Sequence, residues 1–356
     1  MPLHIDLHCT LKILIVKLSS LGDVVHAMPA VQDIRRALPH AQIDWVVERS
    51  FAPLVRRCEG VHRVIACNLR RWCHDRHLSD TCRELGAFFA DLKQDTYDAV
   101  IDLQGLTKSA WVSWLARLST TGKRYGLANQ TEGSSFEAPA RWVAHVAIQM
   151  PPHIDVIWRS RRLCAQALGY SPPGVSSFLS FGLQTFDLQA HDAVHSIDGK
   201  PHRRKVVACV FGTSRADKKW PLAYWHTLGR RLNDAGYFVA LPHGTDAETA
   251  VASDIAQGVP HAQVWARLEL DALADALAGC EGVIGVDSGL SHIAVALGLP
   301  HVQIYNFDTA WRTGPPPAHA HRQCSVFDRP CPAPDTVWQA WLSVSKSFST
   351  SASQSV

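Results

Sequence analysis

The run Val283-Ile-Gly-Val-Asp-Ser-Gly-Leu-Ser-His-Ile-Ala-Val-Ala-Leu-Gly-Leu-Pro300 constrains the fold more than any other stretch of the chain. Val283, Ile284 and Val286 form a short apolar, β-branched strand, and Asp287-Ser288-Gly289 breaks it where a helix must begin. Leu290, Ile293, Ala294 and Leu297 then recur at helical spacing. The backbone N–H groups of Ser288 to Leu290 are left at the positive end of that helix, a layout that holds an anion such as phosphate without a metal. Asp287 and Ser288 also fit the plainer role of an N-cap, and spacing alone does not separate the two.

A second site of the same kind lies near the other end. Lys12-Ile-Leu-Ile-Val-Lys17 is strand-like, and Leu18-Ser-Ser-Leu-Gly-Asp-Val-Val-His26 follows it into a helical stretch reaching Leu38. Here the small-residue loop carries a carboxylate, Asp23, directly after Gly22. Two strand–loop–helix sites so far apart predict two nucleotide-fold halves facing each other, and 356 residues are enough for each to bury its own core.

Alternation continues between these sites. Strands are expected at Gln42–Glu48, Val61–Cys67 and Ala99–Leu103, with helices at Phe51–Arg57 and about Asp80–Lys93. A second series is expected at Val206–Phe211, Leu222–Ala235, Tyr237–Leu241, Ala250–Gln257, Val264, Leu270–Ala278, Val283–Val286 and Val302–Tyr305. Alternation at this pitch implies parallel sheets with crossover helices, whose ligand edge lies at the carboxyl ends of the strands. Pro172-Pro-Gly174 and the polar run to Lys205 mark the crossing between halves. The expected division is a first Rossmann-like domain over 11–175, a linker over 176–205, a second Rossmann-like domain over 206–334, and a terminal helix over 335–346 packing back on the first domain. Met1 to Thr10 and Ser343 to Ser353 lack a packed pattern.

Composition narrows the function. No stretch approaches the ~18 apolar residues of a membrane span, and Asp6, His4 and His8 interrupt any signal-peptide core, so a cytoplasmic protein is expected. Ten cysteines are scattered without a CxxC pair, and Cys164, Cys209 and Cys280 read as buried thiols. Nineteen histidines form no HExxH motif, so neither a metal nor a cofactor is expected. No GxGxxG follows a strand, which argues against a nicotinamide oxidoreductase. Residues 1–170 hold 21 Lys and Arg against 16 Asp and Glu, the later residues 14 against 16. That basic bias suits a phosphate-bearing or membrane-surface ligand and is too sparse for nucleic acid.

Several motifs together resemble the lipopolysaccharide heptosyltransferase I family, within the ADP-heptose branch of glycosyltransferase family nine. They are Lys17-Leu-Ser-Ser-Leu-Gly-Asp-Val-Val-His26, Asp44-Trp-Val-Val-Glu48, Arg70-Arg71-Trp72, Asp102-Leu-Gln-Gly-Leu-Thr-Lys108, Gly212-Thr-Ser-Arg-Ala-Asp-Lys-Lys-Trp-Pro221 and Asp287-Ser-Gly-Leu-Ser-His292. The resemblance covers roughly residues 11–342, in family order and spacing. It implies the GT-B architecture, two Rossmann-like domains with a cleft between them. It also implies inverting transfer of L-glycero-D-manno-heptose from ADP-heptose to the first Kdo of Kdo-lipid A, on the cytoplasmic face of the inner membrane with peripheral contact.

By the same resemblance Asp23 is the catalytic base and Lys218 a cation that stands in for a metal at the diphosphate. Thr213, Ser214, Lys218, Glu248, Asp287, Ser288, Gly289, Leu290 and His292 hold the donor. Ser20, Gly22, Arg70, Arg71, Gln104 and Lys108 face the acceptor. Ser288 stands where Thr is common in the family, and Asn306-Phe-Asp-Thr-Ala-Trp-Arg-Thr-Gly314 departs from the expected form. The alternatives are heptosyltransferase II or another ADP-heptose transferase acting on a heptosylated core, and a non-catalytic sugar-nucleotide-binding protein.

Overall fold

The computed structural model describes residues 10–72, 78–172, 174, 179–186 and 204–352, and the side chains of all of these except 78 and 347–352. The expectation for residues 1–9 and most of the expected linker lie outside this range. The chain divides into two compact units, Met1–Gln184 and Thr185–Val356.

The first unit runs β1 (Lys12–Val16), α1 (Leu21–Ala37), β2 (Gln42–Glu48), α2 (Ala52–Val55), β3 (Val61–Cys67), α3 (Leu69–Trp72) and α4 (Leu78–Leu92). It continues β4 (Tyr97–Asp102), α5 (Thr107–Leu115), β5 (Leu118–Leu127), α6 (Ala138–Val143), β6 (Val146–Ile148) and α7 (Val156–Leu168). The second runs β7 (Val206–Val210), α8 (Leu222–Asp234), β8 (Phe238–Leu241), α9 (Asp246–Gly258), β9 (Ala262–Val264) and α10 (Leu270–Ala278). Then come β10 (Gly282–Val286), α11 (Gly289–Ala296), β11 (His301–Tyr305), α12 (Ala310–Thr313), β12 (Gln323–Phe327) and α13 (Pro334–Ala352).

Each unit carries one six-stranded sheet in which every neighbouring pair is parallel. The strand orders, β3-β2-β1-β4-β5-β6 and β9-β8-β7-β10-β11-β12, are the same topology repeated. Helices on both faces of a parallel sheet leave little water contact, which is why the central strands read as unbroken apolar runs. Ile13 to Val16 are fully buried, and so are all five residues of β10. The strand order reverses between β1 and β4 and between β7 and β10, so a crevice opens at the carboxyl ends of those strands in each unit.

The terminal helix runs Pro334–Ala352, past the expected 335–346 and through the Ser-rich segment from Ser343. Val337, Trp341 and Val344 bury its apolar face in the core of the second unit. Gln184 N still donates to Arg57 O in the first unit at 2.8 Å, whereas Phe186 N donates to Asp275 Oδ1 in the second at 2.8 Å.

Candidate active site

The loop from β1 to α1 places its polar groups against the loop after β4. Lys17 is almost wholly buried, with Trp45 Nε1 donating to its carbonyl at 3.1 Å and its own Nζ reaching Leu103 O at 3.4 Å. That ammonium lies 3.7 Å from Asp23 Oδ1, while Ser20 donates to Asp23 Oδ2 through its backbone N (3.2 Å) and its hydroxyl (2.9 Å). Asp23 therefore does act on the helix start, accepting from Ser20 in the manner of a capping box. A cap alone needs no buried lysine behind it. Burial pushes the Asp23 carboxyl up, yet Lys17, His26 and the Ser20 bonds outweigh it and hold the group well below the usual carboxylate range. Lys17 is pushed down by burial, against the pull of Asp23 and Asp102.

The expected acceptor residues gather on this edge to different degrees. Gln104 Oε1 accepts from Ser19 N at 3.3 Å, and Gly22 sits buried in the first turn of α1. Asp102 holds the Gln104 loop rigid, its Oδ1 accepting from Gln104 N (2.8 Å) and Gly105 N (3.0 Å) and its Oδ2 from Ser109 Oγ (2.9 Å). Glu48 N donates to Leu18 O at 3.1 Å, and Glu48 Oε1 takes Arg70 N at 3.2 Å. Burial raises the Glu48 carboxyl, opposed by Arg70 and Lys108, so both cations share its neighbourhood. Arg71 differs. It is committed to Glu84 Oε1 at 2.5 Å, beside Trp72 Nε1 on the other oxygen, and so it ties α3 to α4. Both arginines stand on a short helix rather than on a loop.

In the second unit the loop after β7 turns through a single 3₁₀ turn at Ala216–Lys218. Lys218 Nζ donates to Asp287 Oδ2 at 2.5 Å, and Lys219 points outward and is exposed. Asp287 Oδ1 faces His292 Nε2 at 3.3 Å, Gln303 Nε2 at 3.4 Å and Thr313 Oγ1 at 3.5 Å. Burial would raise this carboxyl, but His292 and Lys218 hold it far below its ordinary value. Asp287 is thus an anchor for Lys218 and not an N-cap. Ser288 occupies the N-cap position without making a side-chain cap, and its buried hydroxyl has no partner among the described residues. Gly289 and Leu290 open α11, where the first N–H groups have no partner inside the helix, and His292 N closes the turn by donating to Ser288 O at 3.2 Å.

Thr213 is half-buried and Ser214 exposed on the same loop. Glu248 sits in the first turn of α9, with Thr245 Oγ1 accepting from its N at 3.2 Å and its Oε2 accepting from Gly244 N at 2.8 Å. Its other oxygen rests so close to Gly212 that a Cβ there would stand 2.5 Å away. Glycine at 212 is what lets this carboxylate reach the end of β7.

Some residues of the site are not apparent from the sequence. Asn306 Nδ2 donates to Asp217 O (3.0 Å) and Lys219 O (2.9 Å), clamping the chain on either side of Lys218. Trp220 is buried edge-on against Trp225 and Tyr224 and donates to Pro332 O at 2.8 Å, which fixes the far end of the loop. The Asn306–Gly314 stretch therefore supports the Lys218–Asp287 pair through Asn306 and Thr313. Their only signal in the sequence is position, just beyond the carboxyl end of β11.

The family model described as glycosyltransferase family 9 (heptosyltransferase) matches residues 85–337. The chain belongs to that family. Its relatives within glycosyltransferase family 9 include lipopolysaccharide heptosyltransferase 1 of Pseudomonas aeruginosa, 37% identical over 90% of this chain and 85% of that protein. Lipopolysaccharide heptosyltransferase 2 of Escherichia coli is 26% identical over 88% and 87%. The E. coli heptosyltransferase WaaC, solved with ADP, superposes with a TM-score of 0.79 at 30% identity, covering 92% of this chain and 98% of that one. The same enzyme solved with ADP-2-deoxy-2-fluoro heptose gives 0.69 at 33% identity, covering 82% and 88%.

Proposed function

We propose that this glycosyltransferase moves heptose from ADP-heptose to the first Kdo of Kdo-lipid A in lipopolysaccharide inner-core synthesis, with inversion and without a metal. The observation that carries the reading is the pair of oppositely exposed charges: a carboxylate, Asp23, presented over a buried lysine in one unit, and a lysine, Lys218, presented over a buried carboxylate in the other. Group transfer from a sugar diphosphate needs one of each.

In this reading the acceptor hydroxyl attacks the anomeric carbon, the bond from that carbon to the diphosphate oxygen breaks, and ADP leaves with the electron pair. The hydroxyl proton passes to Asp23. A carboxylate held so far below its usual range is a weak base, but the attacking oxygen becomes strongly acidic once its bond to carbon forms, and an ionised Asp23 is in place at any physiological pH. Lys218 has three N–H donors, of which Asp287 takes one, so the others can meet the charge growing on the diphosphate. Ser288 Oγ, Thr213, Ser214 and the first turn of α11 supply neutral donors to the same phosphates, and Glu248 accepts from the ribose hydroxyls. Arg70, Lys108 and Gln104 face the acceptor.

Greater identity to heptosyltransferase 1 than to heptosyltransferase 2 favours Kdo-lipid A over a heptosylated core. An enzyme acting on such an acceptor would sit at the cytoplasmic face of the inner membrane as a peripheral protein. Among the described residues no helix is long and apolar enough to cross a membrane. Incubating the protein with ADP-heptose and either Kdo-lipid A or heptosylated core, in EDTA, then weighing the products tests the donor, the acceptor and the absence of a metal. One heptose added to Kdo-lipid A is expected. Addition only to heptosylated core reassigns the acceptor, loss of activity rescued by a divalent ion removes Lys218 from its role, and no product from either acceptor leaves a binding protein.

A further inference from the structure

The first unit exposes aromatic surface that its own packing does not use. Trp142 on α6 is 78% exposed and Trp114 on α5 is 61% exposed, with Trp111 and Val146 also open to solvent at their margins. Large apolar side chains this bare on a folded surface mark contact with another phase or partner. The two tryptophans belong to one region. Helices α5 and α6 pack on each other. Arg124 joins them further, its guanidinium donating to Trp114 O (2.9 Å) and Ala116 O (2.9 Å) while its backbone N meets His145 Nδ1 at 3.3 Å, three residues beyond Trp142.

Charge selects the occupant. Besides Arg124, whose guanidinium is spent on carbonyls of α5, the chain between Leu106 and Val146 carries four basic residues, Lys108, Arg117, Lys123 and Arg141, against two acidic ones, Glu132 and Glu137. Glu137 is turned onto Thr107. A dry protein interface would deplete such charges at its centre, whereas amphipathic tryptophans among lysines and arginines are the composition that settles at an anionic lipid surface. From Lys108 to Trp114 along α5 is about 9 Å at the helical rise of 1.5 Å per residue, so one short helix carries both a residue of the acceptor edge and an exposed tryptophan.

We infer that Trp114 and Trp142 anchor the first unit to an anionic phospholipid surface, next to the edge that takes the acceptor. This deepens the reading that the acceptor is carried in a membrane, but its test needs neither donor nor acceptor. The full chain is co-sedimented with vesicles of phosphatidylcholine alone or mixed with phosphatidylglycerol. Binding is expected for the mixed vesicles, and the double variant Trp114→Ser, Trp142→Ser should lose it by roughly tenfold or more. Trp114→Phe with Trp142→Phe should keep most of it, and thermal melting of both variants should match the parent. Vesicle binding unchanged in the Ser variant overturns the inference. So does a change in its sedimentation coefficient without lipid, which would make the surface a contact between copies. If the vesicle result holds and transfer to Kdo-lipid A does not, the membrane surface stands and the acceptor assignment alone falls.

Discussion

In the first unit the lysine is the buried member of the pair, Lys17 at 3% exposure beneath Asp23 at 31%. In the second the order is reversed, with Asp287 at 6% beneath Lys218 at 23%. Both pairs sit in the same place, at the crevice where the strand order of a parallel sheet turns back. One topology thus presents opposite charges according to which partner the fold desolvates. A buried charge needs its counter-ion, and the counter-ion left at the surface is thereby fixed in position. The surroundings differ as well. Asp287 is held by three further side chains, whereas Lys17 bonds the Leu103 carbonyl and feels Asp102 besides Asp23.

The sharpest way to break this comparison is to neutralise the exposed carboxylate. Asp23→Asn should cut turnover by about 10²-fold or more, measured at saturating donor and acceptor. Near-normal turnover would reduce Asp23 to a helix cap. Neutralising the exposed cation comes next. Lys218→Ala should lower kcat/KM for ADP-heptose by roughly 10- to 100-fold, the range of one charged hydrogen bond. An effect confined to the acceptor's KM would mean that the two units have been assigned the wrong way round.

Removing the buried lysine sharpens the comparison through pH. Asp23 titrates below its ordinary range because Lys17, His26 and Ser20 overcome burial, so kcat/KM should stay level as pH falls toward that range. In Lys17→Met the upward push of burial is opposed by less, and the acidic limb of the profile should move to higher pH. A limb that stays in place separates Lys17 from Asp23. The smallest effect is expected at Ser288. Ser288→Ala should weaken ADP binding a few-fold and leave the melting temperature unchanged, since the hydroxyl makes no bond among the described residues. A lowered melting temperature with intact ADP binding would restore the N-cap that the sequence left open.

The bounds of β2, β3 and α10 are met to the residue, although β3 buries only Ile65 and Cys67. The stretch from β5 to α7 is harder for physical reasons. Strand β5 carries Ser119, Thr120, Thr121, Lys123 and Arg124, with only Tyr125 to Leu127 buried, and α7 hides two buried arginines in its apolar face. Arg161 is buried against Asp33 at 2.6 Å, a partner 128 residues away that local spacing cannot reveal. The site shows the same limit. Asp23, Lys218 and Asp287 stand out by motif, yet the Lys218–Asp287 bond spans 69 positions, and Asn306 gains its role only when β11 sets it beside the loop.

The central claim, that one unit presents an anion for the acceptor and the other a cation for the donor, is tested most directly by calorimetric titration of ADP-heptose into Asp23→Asn and Lys218→Ala side by side. The account predicts a dissociation constant within about twofold of the parent for the first and weakened by roughly tenfold or more for the second. Equal losses in both variants, or a loss only in Asp23→Asn, would contradict it.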